Sequence, residues 1–386
     1  MEYQRVHGPD LRRWQKWGPY VSDRSWGTVR EDYSAKGDAW AHLPHELARS
    51  KAYRWGEDGI AGFCDRYQIL CWSLALWNER DPILKERLFG VEPGEGNHGE
   101  DVKECYFYAD GTPSHSYMRM LYKYPQAAYP YAQLIDENRR RSGQGAEYEL
   151  IDTGLFDEQR YFDVEIEVAK EDTDAMVLRV TAHNRGPEAA PIHLVPHLWF
   201  RNVWSWDGKD QAQPLITVDR SRPGSIALLA DDSRAPPLGG LLADSRLGPH
   251  RLELPEGVEL FFTDNETNAK RVYGEQAQAK SRYVKDAFHR RIVNGELDAV
   301  NPQLQGTRAC ARQRFLVPAG GSATMRMRLC PAAGPTLSAG EIDEVVKQRR
   351  AEADAFYEAI HPLKATLAER QVQRQAWAGM LWSKQS

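Results

Sequence analysis

Asp163-Val-Glu-Ile-Glu-Val-Ala169 alternates charged and apolar residues without a break, and Ala175-Met-Val-Leu-Arg-Val-Thr-Ala182 follows at once in the same period of two. Side chains of a strand point to opposite faces in turn, so each stretch reads as a half-buried strand with one face toward a core. Asn184-Arg-Gly-Pro187 supplies a turn, and Ile192 to Trp199 reads as the next strand. Further strands are expected at Ile226 to Leu229, Val258 to Thr263, Arg314 to Val317 and Ala323 to Leu329, separated by turns rich in Pro and Gly. Strands at this spacing point to an antiparallel sandwich over residues 147–336. Segment 231–250, rich in Pro, Gly and Asp, reads as a long surface excursion.

Upstream, residues 1–146 form a first region dense in Trp, Tyr, Gly and paired charges. Ile60, Phe63, Cys64, Tyr67, Leu70, Cys71 and Leu74 recur at helical spacing. The nearly continuous aromatic run Tyr67-Gln-Ile-Leu-Cys-Trp-Ser-Leu-Ala-Leu-Trp77 instead favours strand, with Asp81-Pro82 marking its end. Tyr106 to Tyr108 and Ser116 to Tyr124 read as short strands, and Glu137 to Gly145 as a charged loop ending in glycine.

Downstream the period changes again. Ser338 is a good N-cap with Glu341 three residues on, a capping box, and Ile342, Val345, Val346, Arg349, Ala353, Phe356 and Ile360 then recur at helical spacing. His361-Pro362 breaks this helix, so 337–362 reads as a linker helix. A second run begins near Ala365 and carries Val372, Ala376, Met380 and Leu381. Its apolar stripe is still running at Trp382, which predicts that 363–386 opens a further helical domain.

Bulk properties narrow the function. Hydrophobic content of 41% with 27% charged residues suits a folded chain, and a formal net charge of -5 leaves no basic footprint for nucleic acid. No run approaches the roughly 20 apolar residues of a membrane span, and Met1 to Arg13 lacks the apolar stretch of a secretory signal, so the cytosol is expected. The five cysteines (Cys64, Cys71, Cys105, Cys310 and Cys330) form no metal-ligand spacing and are expected as buried free thiols; neither metal nor cofactor is expected.

Gly94-Glu-Gly-Asn-His-Gly99 fits G-x-G-x-x-G by letter, but Glu95 and Glu100-Asp101 would repel a pyrophosphate, and no feeding strand is expected. A glycine-rich loop is the better reading. No G-x-S-x-G, P-loop or H-E-x-x-H pattern occurs. Of the twelve tryptophans, seven (Trp14, Trp17, Trp26, Trp40, Trp55, Trp72 and Trp77) precede residue 80. Flat indole faces stack on the C–H faces of sugars, although large aromatics mostly serve by burial. Glycoside cleavage needs two carboxyl groups flanking one bond, and Glu31-Asp32, Glu57-Asp58 and Glu100-Asp101 lie near these aromatics. Such pairs are also common on solvated loops.

Trp17-Gly-Pro-Tyr20, Arg24-Ser-Trp-Gly-Thr-Val-Arg-Glu-Asp-Tyr-Ser34, Tyr53-Arg-Trp-Gly-Glu-Asp-Gly59, Leu84-Lys-Glu-Arg-Leu-Phe-Gly90 and Glu95-Gly-Asn-His-Gly-Glu-Asp-Val-Lys-Glu104 form a longer pattern. With Arg160-Tyr-Phe-Asp163, Leu198-Trp-Phe-Arg-Asn-Val-Trp-Ser-Trp206 and Gly379-Met-Leu-Trp-Ser-Lys-Gln385, it resembles the N-terminal half of glycoside hydrolase family 63-like proteins, the glucosidase or mannosylglycerate-hydrolase-like group. That resemblance implies a mainly β fold. A large antiparallel β-sandwich (a supersandwich, 1–336) leads through a helical linker to the first helix of an incomplete (α/α)6 barrel. It further implies inverting cleavage of α-glucosidic bonds by an acid and a base on the barrel, beyond Ser386, so no catalytic residue is assigned here. The missing C-terminal catalytic domain would be a partner in cis, and an oligosaccharide or glycoside the ligand. Trp26, Arg30, Glu31, Asp32, Trp55, Glu57 and Asp58 are the candidate sugar wall: indoles to stack, Arg30 to donate to hydroxyls, carboxylates to accept from them. Two alternatives stay open, a non-catalytic carbohydrate-binding or interaction sandwich and, more weakly, a standalone hydrolase using the acidic pairs.

Overall fold

Period-two alternation becomes paired strands over most of the chain. The computed structural model describes residues 1–20, 44–52, 59–95, 101–141, 145–205, 211–222, 225–237 and 245–383. Its strands are β1 (Trp17–Pro19), β2 (Ile60–Asp65), β3 (Leu70–Trp77), β4 (Gly90–Val91), β5 (Asp101–Val102), β6 (Tyr106–Gly111), β7 (Tyr117–Pro125), β8 (Tyr161–Lys170) and β9 (Met176–Asn184). They continue with β10 (Ala190–Phe200), β11 (Leu215–Asp219), β12 (Ile226–Asp231), β13 (His250–Leu254), β14 (Glu259–Thr263), β15 (Gln305–Gly306), β16 (Arg308–Val317) and β17 (Ser322–Pro331). The helices are α1 (Glu2–His7), α2 (Leu11–Trp14), α3 (His45–Ala48), α4 (Tyr131–Arg141), α5 (Ala269–Tyr273), α6 (Ala287–Ile292), α7 (Ala339–Ile360) and α8 (Leu367–Trp382).

Two antiparallel sheets carry the fold, one of six strands in the order β1-β2-β3-β10-β16-β14 and one of nine in the order β15-β11-β12-β13-β17-β9-β8-β7-β6. The quoted stretch is central to the larger sheet: β8 pairs with β9 from Phe162↔Asn184 to Lys170↔Met176. Their inward residues Val164, Ile166, Val168, Leu178 and Val180 meet Trp72, Leu74, Leu194 and Leu198 of the smaller sheet in one buried core. The chain is thus a mainly β sandwich, as its alternation predicts.

The second reading of 60–77 holds, since these residues form the β2–β3 hairpin. Glu137 to Gly145 is not a loop throughout. Helix α4 runs to Arg141, and Arg140 and Arg141 both pair with Glu137 one turn back. The glycine-rich loop does follow a strand, the two-residue β4, which pairs antiparallel with β5; a short 3-10 helix at Pro93–Glu95 comes between, and residues 96–99 of the motif lie outside the described residues.

Both downstream helices start on capping boxes, Ser338 with Glu341 and Thr366 with Glu369. Helix α7 lays Ile342, Val346 and Ala353 on the outer face of the nine-stranded sheet, against Tyr117, Ala169 and Val177. Helix α8 packs on β6, sending Ala378 and Trp382 into the main core, while Val372 and Met380 stand 68% and 72% exposed on its opposite side.

Candidate functional site

Strand parity decides what the outer face of the six-stranded sheet displays. On β10 the even residues Ile192, Leu194, Leu198 and Phe200 enter the core, so His193, Val195, His197 and Trp199 face outward. Register places Cys71 opposite Trp199 on one side and Arg308 on the other. The next outward row sets Ser73, His197 and Cys310 in line. An outward face bearing His, Ser, Arg and Trp is unusual for a buried sheet, yet Ser73, His197, Trp199 and Arg308 are all fully buried. Buried polar groups must be hydrogen-bonded to be tolerated.

Arg308 anchors this layer. Its Nη2 donates to Glu86 Oε2 at 3.1 Å and to His197 Nδ1 at 3.0 Å. Accepting at Nδ1 leaves the neutral imidazole proton of His197 on Nε2. The guanidinium lies over the rings of Trp199 and Phe288, at 5.3 and 5.6 Å from their centroids. Helix α6 brings Phe288 and Ile292 down on the same face, with Leu84 beside them. His289 of that helix accepts from the Leu84 amide through Nδ1, and burial pushes its pKa down to about 3, so it stays neutral in the ordinary range. Near the turn of the β2–β3 hairpin, Cys64 lies directly across from Cys71. The Cys64 thiol is held well above its ordinary range, first by its hydrogen bond with Cys71 and then by burial.

Two chain segments start or finish on this polar face. Tyr20 stands edge-on to Trp199, with centroids 6.4 Å apart and planes at 86°, and leads into residues 21–43. A Cβ on Gly62 would sit 2.2 Å from the Tyr20 ring, so glycine is what lets the tyrosine lie flat on β2. Residues 53–58 end at Gly59, whose φ of +102° and position over Ser73 leave no room for a side chain: a Cβ there would come within 2.0 Å of Ser73. All seven residues of the expected sugar wall (Trp26, Arg30, Glu31, Asp32, Trp55, Glu57 and Asp58) belong to these two segments and lie outside the described residues. The described ends, Tyr20 and Gly59, both rest on this face.

The described tryptophans serve by burial. Trp17, Trp72, Trp199 and Trp382 are fully buried, Trp14 lies under Arg5 and Arg349, and Trp77 packs on His193. The buried carboxylates are likewise engaged as acceptors. Glu104 takes Lys85 at 2.8 Å, the Tyr122 hydroxyl at 2.7 Å and the Phe89 amide at 3.0 Å. Asp81 takes the Tyr124 hydroxyl and the Ile83 amide, each at 3.0 Å, and burial raises its pKa. Glu266 takes Trp204 Nε1 at 2.7 Å and the Ser205 hydroxyl at 2.6 Å, and Glu167 is held by Tyr117 and Arg179. Each of these four carboxylates is bound into the fold. No cluster of three or more His, Cys, Asp or Glu suited to a metal occurs among the described residues.

The face was reachable from sequence. His193 and His197 are four apart in a strand, so they share a face, and the companion residues of β10 are apolar. Arg308 alternates with Ala309 and Ala311 in the same way. Nothing local points to Glu86 or Ser73.

No protein-family model matches the chain. The chain is 41% identical, over 408 aligned positions, to an uncharacterized protein of Saccharomyces cerevisiae; the match covers 96% of this chain and 37% of the yeast protein. It therefore spans little more than a third of the relative's length. A solved structure provisionally named as a kojibiose phosphorylase from the human microbiome is 9% identical, covering 83% of this chain and 32% of the other, with a TM-score of 0.24. A likeness that slight carries no argument about this chain.

Proposed function

We infer that this chain is the sugar-facing β-sandwich of a carbohydrate-active enzyme, a glycoside hydrolase of the family 63-like group acting on α-linked gluco-oligosaccharides. One observation carries the reading: Tyr20 and Gly59, the described residues next to the two stretches that hold the candidate indoles and acidic pairs, both rest on a single polar, aromatic sheet face. A rigid buried layer that holds the ends of a recognition segment suits the positioning of a saccharide, because sites gain precision from the scaffold that supports them. In this reading Trp26 and Trp55 stack on sugar rings, Arg30 donates to hydroxyls, and Glu31, Asp32, Glu57 and Asp58 accept from them.

Chemistry is assigned elsewhere. Inverting hydrolysis needs a separated acid and base, and the buried carboxylates described above are occupied by tyrosines, tryptophan, serine, lysine, arginine and amides. We place the acid and base on a helical (α/α)6 domain in cis, following a sandwich of 1–336 and a linker of 337–362, with 363–386 as its first helix. The exposed Val372 and Met380 of α8 support this, being apolar groups that a further helix would cover. A second reading, a carbohydrate-binding sandwich with no chemistry of its own, is favoured by the same saturation of the carboxylates.

The deciding experiment incubates the purified chain, and separately a longer protein carrying the helical domain, with α-linked gluco-oligosaccharides and with mannosylglycerate. The expected result is turnover by the longer protein alone. Turnover by the short chain, lost in Glu31→Ala or Asp58→Ala, would replace this reading with a standalone hydrolase. Binding with no turnover by either would favour the binding module.

A further inference from the structure

At the turn end of the β2–β3 hairpin lies a cleft of about 390 Å³ that the sugar-wall reading leaves unused. Arg12 and Arg13 of α2, Lys16, Arg66, Tyr67 and Arg246 line it. Five cations thus share one cleft with two carboxylates, Asp65 and Asp174, in a chain whose formal net charge is -5.

Neither carboxylate offsets the guanidinium groups. Asp65 is buried and gives its two oxygens to backbone amides, those of Tyr67 and Leu70, each at 2.8 Å. Asp174 pairs with Lys16. Arg66, by contrast, is held by the carbonyl oxygen of Arg12. Arg246 is held by three more carbonyls, those of Asp232 at 3.1 Å, Ser233 at 2.8 Å and Ala235 at 2.9 Å. A carbonyl orients a guanidinium without cancelling its charge. Arg12, Arg66 and Arg246 have no carboxylate at ion-pair distance among the described residues, so three positive charges, two of them held in place by carbonyls, line one cleft.

Guanidinium forks match tetrahedral oxyanions, and several uncompensated charges suit a dianion better than a carboxylate. Tyr67 is 38% exposed at the same wall and brings an aromatic face suited to a pyranose, and Thr173 lines the cleft beside it. The volume lies within the range of ordinary ligand pockets, about 300–1,000 Å³. We propose that this cleft binds a small phosphorylated sugar, its phosphate between Arg12, Arg66 and Arg246 and its ring against Tyr67. The site goes beyond the glycosidase reading and stands on the cleft alone, since its test measures binding with no hydrolysis.

Calorimetric titration of the full chain at low ionic strength tests it, with inorganic phosphate, glucose 6-phosphate and glucose as separate probes. Glucose 6-phosphate should bind saturably, inorganic phosphate about tenfold more weakly, and glucose not at all up to about 10 mM. Arg66→Gln with Arg246→Gln should weaken glucose 6-phosphate at least about tenfold, as should Arg12→Gln, whose side chain is exposed and whose carbonyl is kept. Tyr67→Ala should erase the preference for the sugar phosphate and leave phosphate binding intact. Raised salt should weaken every phosphate interaction. Thermal midpoints confirm that each variant is folded. No saturable binding of glucose 6-phosphate, or binding indifferent to the Arg12→Gln substitution, overturns the site; equal affinity for phosphate and glucose 6-phosphate overturns the sugar assignment and leaves a free-phosphate site.

Discussion

Arg308 Nη2 lies 3.1 Å from Glu86 Oε2, joining β16 to the loop after β3, with side chains 0% and 4% exposed. Breaking such a buried pair by removing one partner costs about 3–5 kcal/mol, far more than the intact pair contributes. Arg308→Met should therefore lower unfolding stability by about that amount in urea denaturation. The double variant with Glu86→Gln should lose less than the two single losses added together, because both single losses include the same broken pair. A loss below about 1 kcal/mol would mean that water reaches the pair in solution.

Gly59 makes a backbone prediction on the same face. Gly59→Ala should destabilise the chain by more than about 2 kcal/mol, combining a φ few other residues adopt with the close approach to Ser73. Adding Ser73→Gly should recover the steric share and leave the backbone share. Thermal denaturation of the three variants separates the two.

Lys170 predicts an alkaline gain in stability. Burial pushes its pKa down to about 7 from 10.5, and its ammonium donates to the carbonyls of Trp14 and Trp17. Between those values the unfolded chain holds a proton that the folded chain has released, so unfolding stability rises with pH. The rise should reach roughly 2 kcal/mol between about pH 7 and pH 9. Above about pH 10 the buried tyrosines Tyr122 and Tyr124, whose pKa values are raised by burial, reverse the slope. Lys170→Met should flatten the rise, as read from urea midpoints across that range.

Helix α8 has two unequal sides. Trp382 stacks on Tyr108 at 5.2 Å with planes 11° apart and donates through Nε1 to the Asp110 carbonyl at 2.9 Å. Trp382→Ala should cost about 3–5 kcal/mol. Val372→Lys and Met380→Lys, on the exposed side, should change stability by no more than about 0.5 kcal/mol. If a cis helical domain covers that side, the same two substitutions should weaken its packing in the longer protein.

Much of the sandwich was legible because alternation is a local signal. Residues 163–169 and 175–182 announce strands from their own order, and Ser338 with Glu341 announces a helix start. Helix α4 was misread at Glu137, where charges that suggest a loop are spaced to pair along a helix. Strand β13, His250–Leu254, was missed just past the expected excursion of 231–250 because its pairing with β12 and β17 is set by distant residues. The polar face was only half visible. His193 and His197 share a parity, but the meeting of Glu86 with Arg308 spans 222 residues of sequence. No local pattern encodes such a contact.

The stretches that follow Tyr20 and precede Gly59 are proposed to bind sugar. Calorimetric titration of an α-linked gluco-oligosaccharide into the chain tests it most directly, comparing the wild type with Trp26→Ala and Trp55→Ala. Saturable binding without product formation, weakened at least about tenfold by either substitution, is the predicted result. Binding that ignores both substitutions, or no binding at all in a chain with an unchanged thermal midpoint, would contradict it.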